Sequence, residues 1–334
     1  MSLIKPNDIL YSSKCLVIGD GTIGMQNQSI ALAIASGFNP KLIELKPKVL
    51  PRIFPQFLAG NYKLPLSNKD AEIISFDPKI IFTCGRRMAG ISVGLKRLFL
   101  KKNQRLVNIH IQNPNLSKSL FDLLVIPEHD QIKGYNVIKS IGSINNFSKE
   151  HILNSYKQLP SKFQNLCGNH ILVLIGGNTK NQKTSLTSAS NLKNELLRLK
   201  KLLKSKLIIS SSRRTPKTIF SELKEFNIWK PNDKIANPYP GIINKAKLII
   251  VSSDSINMIS EALSTGIPVC IFDLFAPYGR KKQFISTMIN NNYIKYSSEI
   301  INININSKYK TLNEAKRIGK IIKKNIYNHE KLII

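Results

Sequence analysis

The sequence predicts an α/β protein of two doubly wound, parallel-sheet halves facing each other across a cleft, on three observations. The chain has 334 residues, beyond the roughly 250–300 at which one hydrophobic core stops growing, so two packed domains are expected. Short β-branched runs alternate with helix-period segments from end to end, the pattern of buried parallel strands joined by covering helices. A polar, irregular stretch at 159–165 precedes a fresh strand with a Gly-Gly turn, which places a linker there. The expected division is a Rossmann-like domain at 1–160, a second at 167–310, and a C-terminal helix at 311–334.

In order, the strands are expected at 15–18, 80–83, 106–109, 123–126, 171–175, 207–209, 248–251 and 268–272, each a run of β-branched and apolar residues. Amphipathic helices are expected at 191–203 and 255–264, and a last one at 312–327. Such sheets bind ligands beyond the carboxyl ends of their strands.

Composition narrows the function. No apolar run is long enough to cross a bilayer and the first residues lack a signal peptide's apolar stretch, so a cytoplasmic protein is expected. Cys15, Cys84, Cys167 and Cys270 lie far apart, which offers neither a disulfide framework nor a metal knuckle. Fifty Lys+Arg against 20 Asp+Glu give a net charge of +30. One reading of the charge is codon bias, on the Lys-, Ile- and Asn-rich composition; the other is that it is functional. A functional charge would attract phosphorylated substrates or an anionic membrane surface, for which 198–204 and 316–324 are basic amphipathic stretches. Aromatics at 7% and the lack of a recognition motif argue against specific nucleic acid.

Candidate chemistry gathers at strand ends. Asp20-Gly21-Thr22-Ile23-Gly24, then Asn27-Gln28, follow the first strand, where glycines let backbone amides approach an anion or sugar. Arg86 and Arg87 follow Gly85, and Arg213 and Arg214 follow Ser212; arginine at these four positions runs against the chain's lysine bias and suits anion gripping. Thr215 is expected to cap the next helix, with Pro216 first in it. His129, between Glu128 and Asp130, can act as a general base or fix a loop. Gly176 and Gly177 form the turn of the second half. Ser253, Asp254 and Ser255 open a helix able to hold a phosphate, with Met258 in its first turn and Glu261 about two turns on to bond hydroxyls. Asn237 precedes a short helix upstream. This is the donor-site logic of a nucleotide-sugar glycosyltransferase.

The residues Gly85-Arg86-Arg87, 121–130 ending Pro-Glu-His-Asp, 136–138, Ser212-Arg213-Arg214-Thr215-Pro216, 237–239 and 254–262 occur in the order found in the mitochondrial fission (elongated-mitochondria) family, whose bacterial members the chain resembles over 17–272. The resemblance implies a GT-B glycosyltransferase-like protein. It gives Ser253, Asp254, Ser255 and Glu261 donor-site roles and places Arg213 and Arg214 beside the diphosphate. The plant member's role in mitochondrial division does not transfer to a bacterial chain. Where relatives tend to carry Asp-Gly-Lys/Arg-Pro-Gly-His, this chain has Asp20-Gly21-Thr22-Ile23-Gly24-Met25. Met25 cannot take a proton, so Asp20 or His129 is the expected base.

The expectation is therefore transfer of a sugar from a nucleoside-diphosphate sugar, held by the C-terminal half, to an unknown acceptor, lipid-linked on the charge argument, held by the N-terminal half. No metal or resident cofactor is needed in that scheme. Two other readings stand: a nucleoside-diphosphate-sugar epimerase, and a non-catalytic scaffold peripheral to the inner face of the membrane.

Overall fold

The computed structural model describes residues 14–45, 69–179, 181–231, 233, 237–302 and 309–331. The chain forms two compact units, Met1–Asn146 with Asn313–Ile334, and Phe147–Leu312. The amino-terminal segment read for a signal peptide lies, but for Lys14, outside the described residues.

In the first unit β1 (Cys15–Gly19), α1 (Ile23–Ala35), β2 (Pro40–Glu44), α2 (Asp70–Phe76), β3 (Ile80–Cys84), α3 (Arg86–Lys101), β4 (Val107–Ile111), β5 (Leu123–Pro127) and β6 (Val137–Ser140) follow in sequence. The six strands lie in the order β2-β1-β3-β4-β5-β6, all neighbours parallel. Strand side chains alternate between two buried faces. Leu16, Ile18 and Ile81 meet Met88, Ile91 and Leu95 of α3, while Cys15, Val17, Ile80 and Phe82 meet Ala31, Leu32 and Ala33 of α1. Burial on both sides is why these strands read as unbroken apolar runs.

The second unit runs α4 (Lys149–Lys157), α5 (Ser161–Gln164), β7 (His170–Ile175), α6 (Leu186–Leu203), β8 (Lys206–Ser211), α7 (Lys217–Glu222), β9 (Asn227–Trp229), α8 (Tyr239–Ile242), β10 (Ala246–Ser252), α9 (Ile256–Leu263), β11 (Val269–Phe272), α10 (Gly279–Asn290) and β12 (Lys295–Tyr296). Its strand order is β12-β11-β10-β7-β8-β9, again parallel throughout. In each unit the order reverses once, between β1 and β3 and between β7 and β10. Those reversals are the switch points at which open α/β sheets leave a crevice for a ligand.

The last helix, α11 (Glu314–Lys331), belongs to the first unit. Ala315, Ile318 and Ile322 enter the core beside α1, and Gly319 lies so close that a Cβ there would stand 2.4 Å from the Ala35 carbonyl oxygen. Glu314 is 2% exposed, accepts the Ile141 amide at 2.8 Å and pairs with Arg317.

Three expectations are corrected. The division falls at Asn146/Phe147 rather than in the polar stretch 159–165, because α4 packs on α8 and Leu159 and Phe163 are buried. The terminal helix is no separate segment, because its apolar stripe completes the first unit's core. The basic stretches 198–204 and 316–324 lie on helices that face a core, α6 through Ala189, Leu192, Leu196 and Leu199 and α11 through Ala315, Ile318 and Ile322, while Leu197 and Leu202 of α6 stay exposed. Thr215 caps no helix: Pro216 holds the cap position, and the Thr215 hydroxyl donates instead to the carbonyls of Ile175, at 3.1 Å, and Gly176. Strands β2, β6, β9 and β12 were not expected. β6, β9 and β12 are short, and β2 and β6 are half exposed, so they carry no continuous apolar run.

Candidate functional site

At the switch point of the second sheet, Gly176-Gly177 end β7 and Ser253-Asp254-Ser255 end β10. Both glycines are dictated by what packs on them. A Cβ on Gly176 would lie 2.2 Å from Asp254 Oδ2, and one on Gly177, whose φ is +145°, would lie 2.2 Å from the Arg214 carbonyl oxygen. Asp254 Oδ2 accepts the Gly177 amide at 3.1 Å and pairs with Arg214 Nη2 at 3.0 Å. The carboxylate is buried and the guanidinium half exposed. Ser252 Oγ accepts the Gly176 amide at 2.7 Å, and Ser212 Oγ donates to the Gly176 carbonyl at 2.7 Å. The turns after β7, β8 and β10 are thus fastened to one another.

Buried polar atoms remain unmatched there. Ser253 Oγ and Asp254 Oδ1 have no hydrogen-bond partner among the described residues, on side chains 1% and 4% exposed. Such groups cost free energy unless something satisfies them. Arg213 is exposed and makes no ion pair with the described residues.

Ser255, not Asp254, caps α9, accepting the Met258 amide at 3.4 Å. Asp254 is thereby free to neutralise Arg214. Asn237 Oδ1 accepts the Tyr239 amide at 3.0 Å and opens α8, which presents Tyr239 to Glu261 of α9. Desolvation pushes the Glu261 pKa up to about 7, against a smaller lowering by the Tyr239 hydroxyl. Burial first, then the Glu261 charge, raises the tyrosine well above its ordinary range. Tyr239 Oη has no well-formed hydrogen bond among the described residues. A carboxyl so poised is a strong acceptor for two vicinal hydroxyls, which would favour its charged form.

In the first unit the turns after β1 and β3 meet at the other switch point. Asp20 Oδ1 accepts the Thr22 amide at 3.0 Å and Oδ2 pairs with Arg87 at 3.3 Å. Desolvation raises its pKa, but the Thr22 and Arg87 hydrogen bonds and the Arg87 charge outweigh it and hold Asp20 below the usual carboxylate range. Such a carboxylate takes up a proton poorly. Gly21 (φ +83°), Gly24 and Asn27 are exposed along this turn and the start of α1; Gln28 is buried. Met25 sits at the hub, its Sδ 3.4 Å from Cys84 Sγ and 3.3 Å from Gln112 Nε2. Arg86 is exposed in the first turn of α3.

Glu128, His129 and Asp130 form a tight turn after β5, closed by the Asp130 amide on the Pro127 carbonyl at 2.9 Å. Glu128 is exposed, His129 half-buried and Asp130 buried; the Asp130 carbonyl accepts Lys139 Nζ. Strands β1 and β5 are three spacings apart, about 14 Å, so Asp20 and His129 do not serve one reacting atom. Sequence reasoning missed Lys281, in the first turn of α10, which lies within electrostatic reach of Asp254 and Arg214. Its one signal, the run Arg280-Lys281-Lys282, is camouflaged by the chain's many lysines. Among the described residues no three His, Cys, Asp or Glu side chains gather to hold a metal ion, and no helix is long and apolar enough to cross a membrane.

The pattern defining the family Mitochondrial fission ELM1 matches residues 23–326. The chain belongs to that family. An uncharacterized protein, RP120, of Rickettsia prowazekii (strain Madrid E) is 29% identical, across 92% of this chain and 97% of its own. The mitochondrial fission protein ELM1 of Arabidopsis thaliana is 25% identical across 58% of this chain, which spans about half, 51%, of the plant protein. Among solved structures, a UDP-GlcNAc 2-epimerase from Neisseria meningitidis bound to UDP-GlcNAc superposes with a TM-score of 0.58 at 15% identity, covering 94% of this chain and 99% of that one. At that identity the likeness is one of fold: two parallel α/β sheets of the GT-B type, as the sequence predicts.

Proposed function

We propose that the second unit binds a nucleoside-diphosphate sugar and that the protein transfers its sugar to an acceptor held by the first unit. The observation that carries the reading is the unsatisfied, cation-rimmed switch point between β7 and β10. There Ser253 Oγ and Asp254 Oδ1 lack partners, and the exposed Arg213 and the α9 amino terminus supply positive potential for a diphosphate. Glu261 holds the ribose hydroxyls. The positive charge at the strand ends stabilises the departing diphosphate, which is where charge develops in glycosyl transfer. The matched Neisseria structure holds UDP-GlcNAc, a ligand of this class.

Proton removal from the acceptor falls to His129 rather than Asp20, because Asp20 is held ionised by Arg87 and Thr22. Arg86 and Arg87 then grip an anionic acceptor at the first switch point. A lipid-linked acceptor agrees with the basic surface. The membrane contact would be chiefly electrostatic, since α6 and α11 turn Ala189, Leu192, Leu196, Leu199, Ala315, Ile318 and Ile322 to the cores.

The second reading, an epimerase, is favoured by the fold likeness to a 2-epimerase. Proton NMR of the anomeric signal separates the two. A transferase consumes donor only when an acceptor, such as a bacterial lipid extract, is added; an epimerase converts it alone. Neither change in any of the common nucleotide sugars would overturn both.

A further inference from the structure

We infer that Lys281 is a third cation of the nucleotide site, gripping the distal phosphate of a diphosphate from the side opposite Arg213 and Arg214. This rests on the nucleotide-sugar reading of the second unit and adds to it a residue and a preference for diphosphates over monophosphates.

Helix α10 begins Gly279-Arg280-Lys281-Lys282. Its cap residue, Tyr278, makes no side-chain cap bond, and no acidic residue lies in the first turn. Cations at a helix amino terminus oppose the helix dipole, which favours anions there. The arrangement becomes favourable once an anion lies between the dipole and the cations.

The neighbourhood meets that condition. Strand β11, which leads into α10, flanks β10 on one side, while β7 and β8 lie on the other. Arg214 reaches across from the β8 end to Asp254 at 3.0 Å, and the Lys281 ammonium feels Asp254 and Arg214 together. It lies 6.0 Å from the centre of the Phe275 ring and is half-buried, and that burial holds its pKa below the usual lysine range. One buried carboxylate, Asp254, serves both Arg214 and Lys281, and the neighbouring Arg213 is exposed, so cations outnumber carboxylates in this group. The unpartnered Ser253 Oγ and Asp254 Oδ1 lie at the same strand end. Ser253 can donate to a phosphate oxygen, while Asp254 Oδ1 can only accept, from a ligand donor such as a sugar hydroxyl. A diphosphate with a sugar attached meets both demands and has two phosphates to place between cations on opposite sides of β10, whereas a monophosphate has one.

The test is calorimetry at moderate salt with UDP, UMP, ADP, AMP and inorganic pyrophosphate. Lys281→Met should weaken the preferred diphosphate and pyrophosphate about tenfold, weaken monophosphates less than about twofold, and leave the melting temperature unchanged. Lys281→Arg should recover most of the affinity. Lys282→Met removes the same charge about 100° further round the helix and should bind as wild type. If Lys281→Met destabilises the protein, Lys281→Gln replaces it. Unchanged diphosphate affinity in Lys281→Met, equal losses for mono- and diphosphates, or an equal loss in Lys282→Met would each overturn the inference. Glu261→Ala separates it from the parent reading. Nucleoside diphosphates binding no better than pyrophosphate, in wild type and Glu261→Ala alike, would remove the nucleotide reading while leaving Lys281 an anion ligand. No binding of any probe would remove both.

Discussion

Arg214 and Asp254 meet 3.0 Å apart across the switch point of the second sheet, the guanidinium half exposed and the carboxylate buried. The pair resolves an apparent contradiction in the proposed function, a carboxylate where a phosphate is expected. Asp254 serves as the anchor of Arg214 and of the Gly177 amide, so its charge is spent before a ligand arrives.

Removing the cation should therefore hurt more than removing the carboxylate's charge. Arg214→Met strands a buried carboxylate and should cost about 2 kcal/mol, read as a lowered urea midpoint. Asp254→Asn keeps an acceptor for the Gly177 amide and should cost about half as much. Equal costs would mean that the pair is only a surface contact.

The two glycines beneath the pair admit no side chain. Gly177→Ala has both a strained φ and an overlap with the Arg214 backbone, so it should destabilise the unit by about 2–3 kcal/mol. Calorimetric melting checks this. Similarly, Gly319→Ala should loosen α11 from α1, seen as faster amide exchange in the last helix.

How far the sequence could foretell these features depends on what each one rests on. Buried β-branched runs announce β1, β3, β7 and β10 directly, and glycine and arginine beyond strand ends announce the turns at the two switch points. The Arg214–Asp254 pair joins residues 40 positions apart, and no local period encodes it. Lys281 is indistinguishable by type from its neighbours. The division at Asn146/Phe147 was hidden because α4 has the ordinary amphipathic pattern of either unit, and only its packing on α8 assigns it to the second. The return of α11 to the first unit likewise rests on packing against α1, where Ala315, Ile318 and Ile322 enter the core and Gly319 meets the Ala35 carbonyl.

Glu261 gives the site a pH signature. Its folded pKa, about 7, stands above the ordinary 4.5, so its contribution to stability is complete below pH 4.5 and is lost as pH rises through 7. Hydroxyls of a bound ribose favour the ionised form, so binding at pH 7 should release up to about half a proton. Calorimetric enthalpies should then depend on the buffer's ionisation heat, and Glu261→Gln should abolish that dependence. A buffer-independent enthalpy in wild type would deny Glu261 contact with the ligand.

His110 sets the acid limit of the first unit. Burial pushes it from 6.5 down to about 3; Nδ1 lies 2.8 Å from Thr83 Oγ1, and Nε2 has no partner among the described residues. Its folded pKa is depressed, so the neutral ring's contribution is full above pH 6.5 and falls as pH drops toward 3, by on the order of 1.4 kcal/mol per unit. His110→Gln should flatten the fall in melting temperature between pH 6.5 and 4. An unchanged slope would assign the acid sensitivity elsewhere.

The most direct test of the account is calorimetric titration of the wild-type protein with UDP, GDP, CDP, ADP and dTDP at moderate and at high salt. The account predicts one preferred nucleoside diphosphate, bound at a single site, retained at high salt and weakened at least about tenfold by both Arg213→Ala and Glu261→Ala. Weak heats of equal size for all five, lost together as salt rises, would reduce the strand-end cations to a general positive field and contradict the nucleotide site.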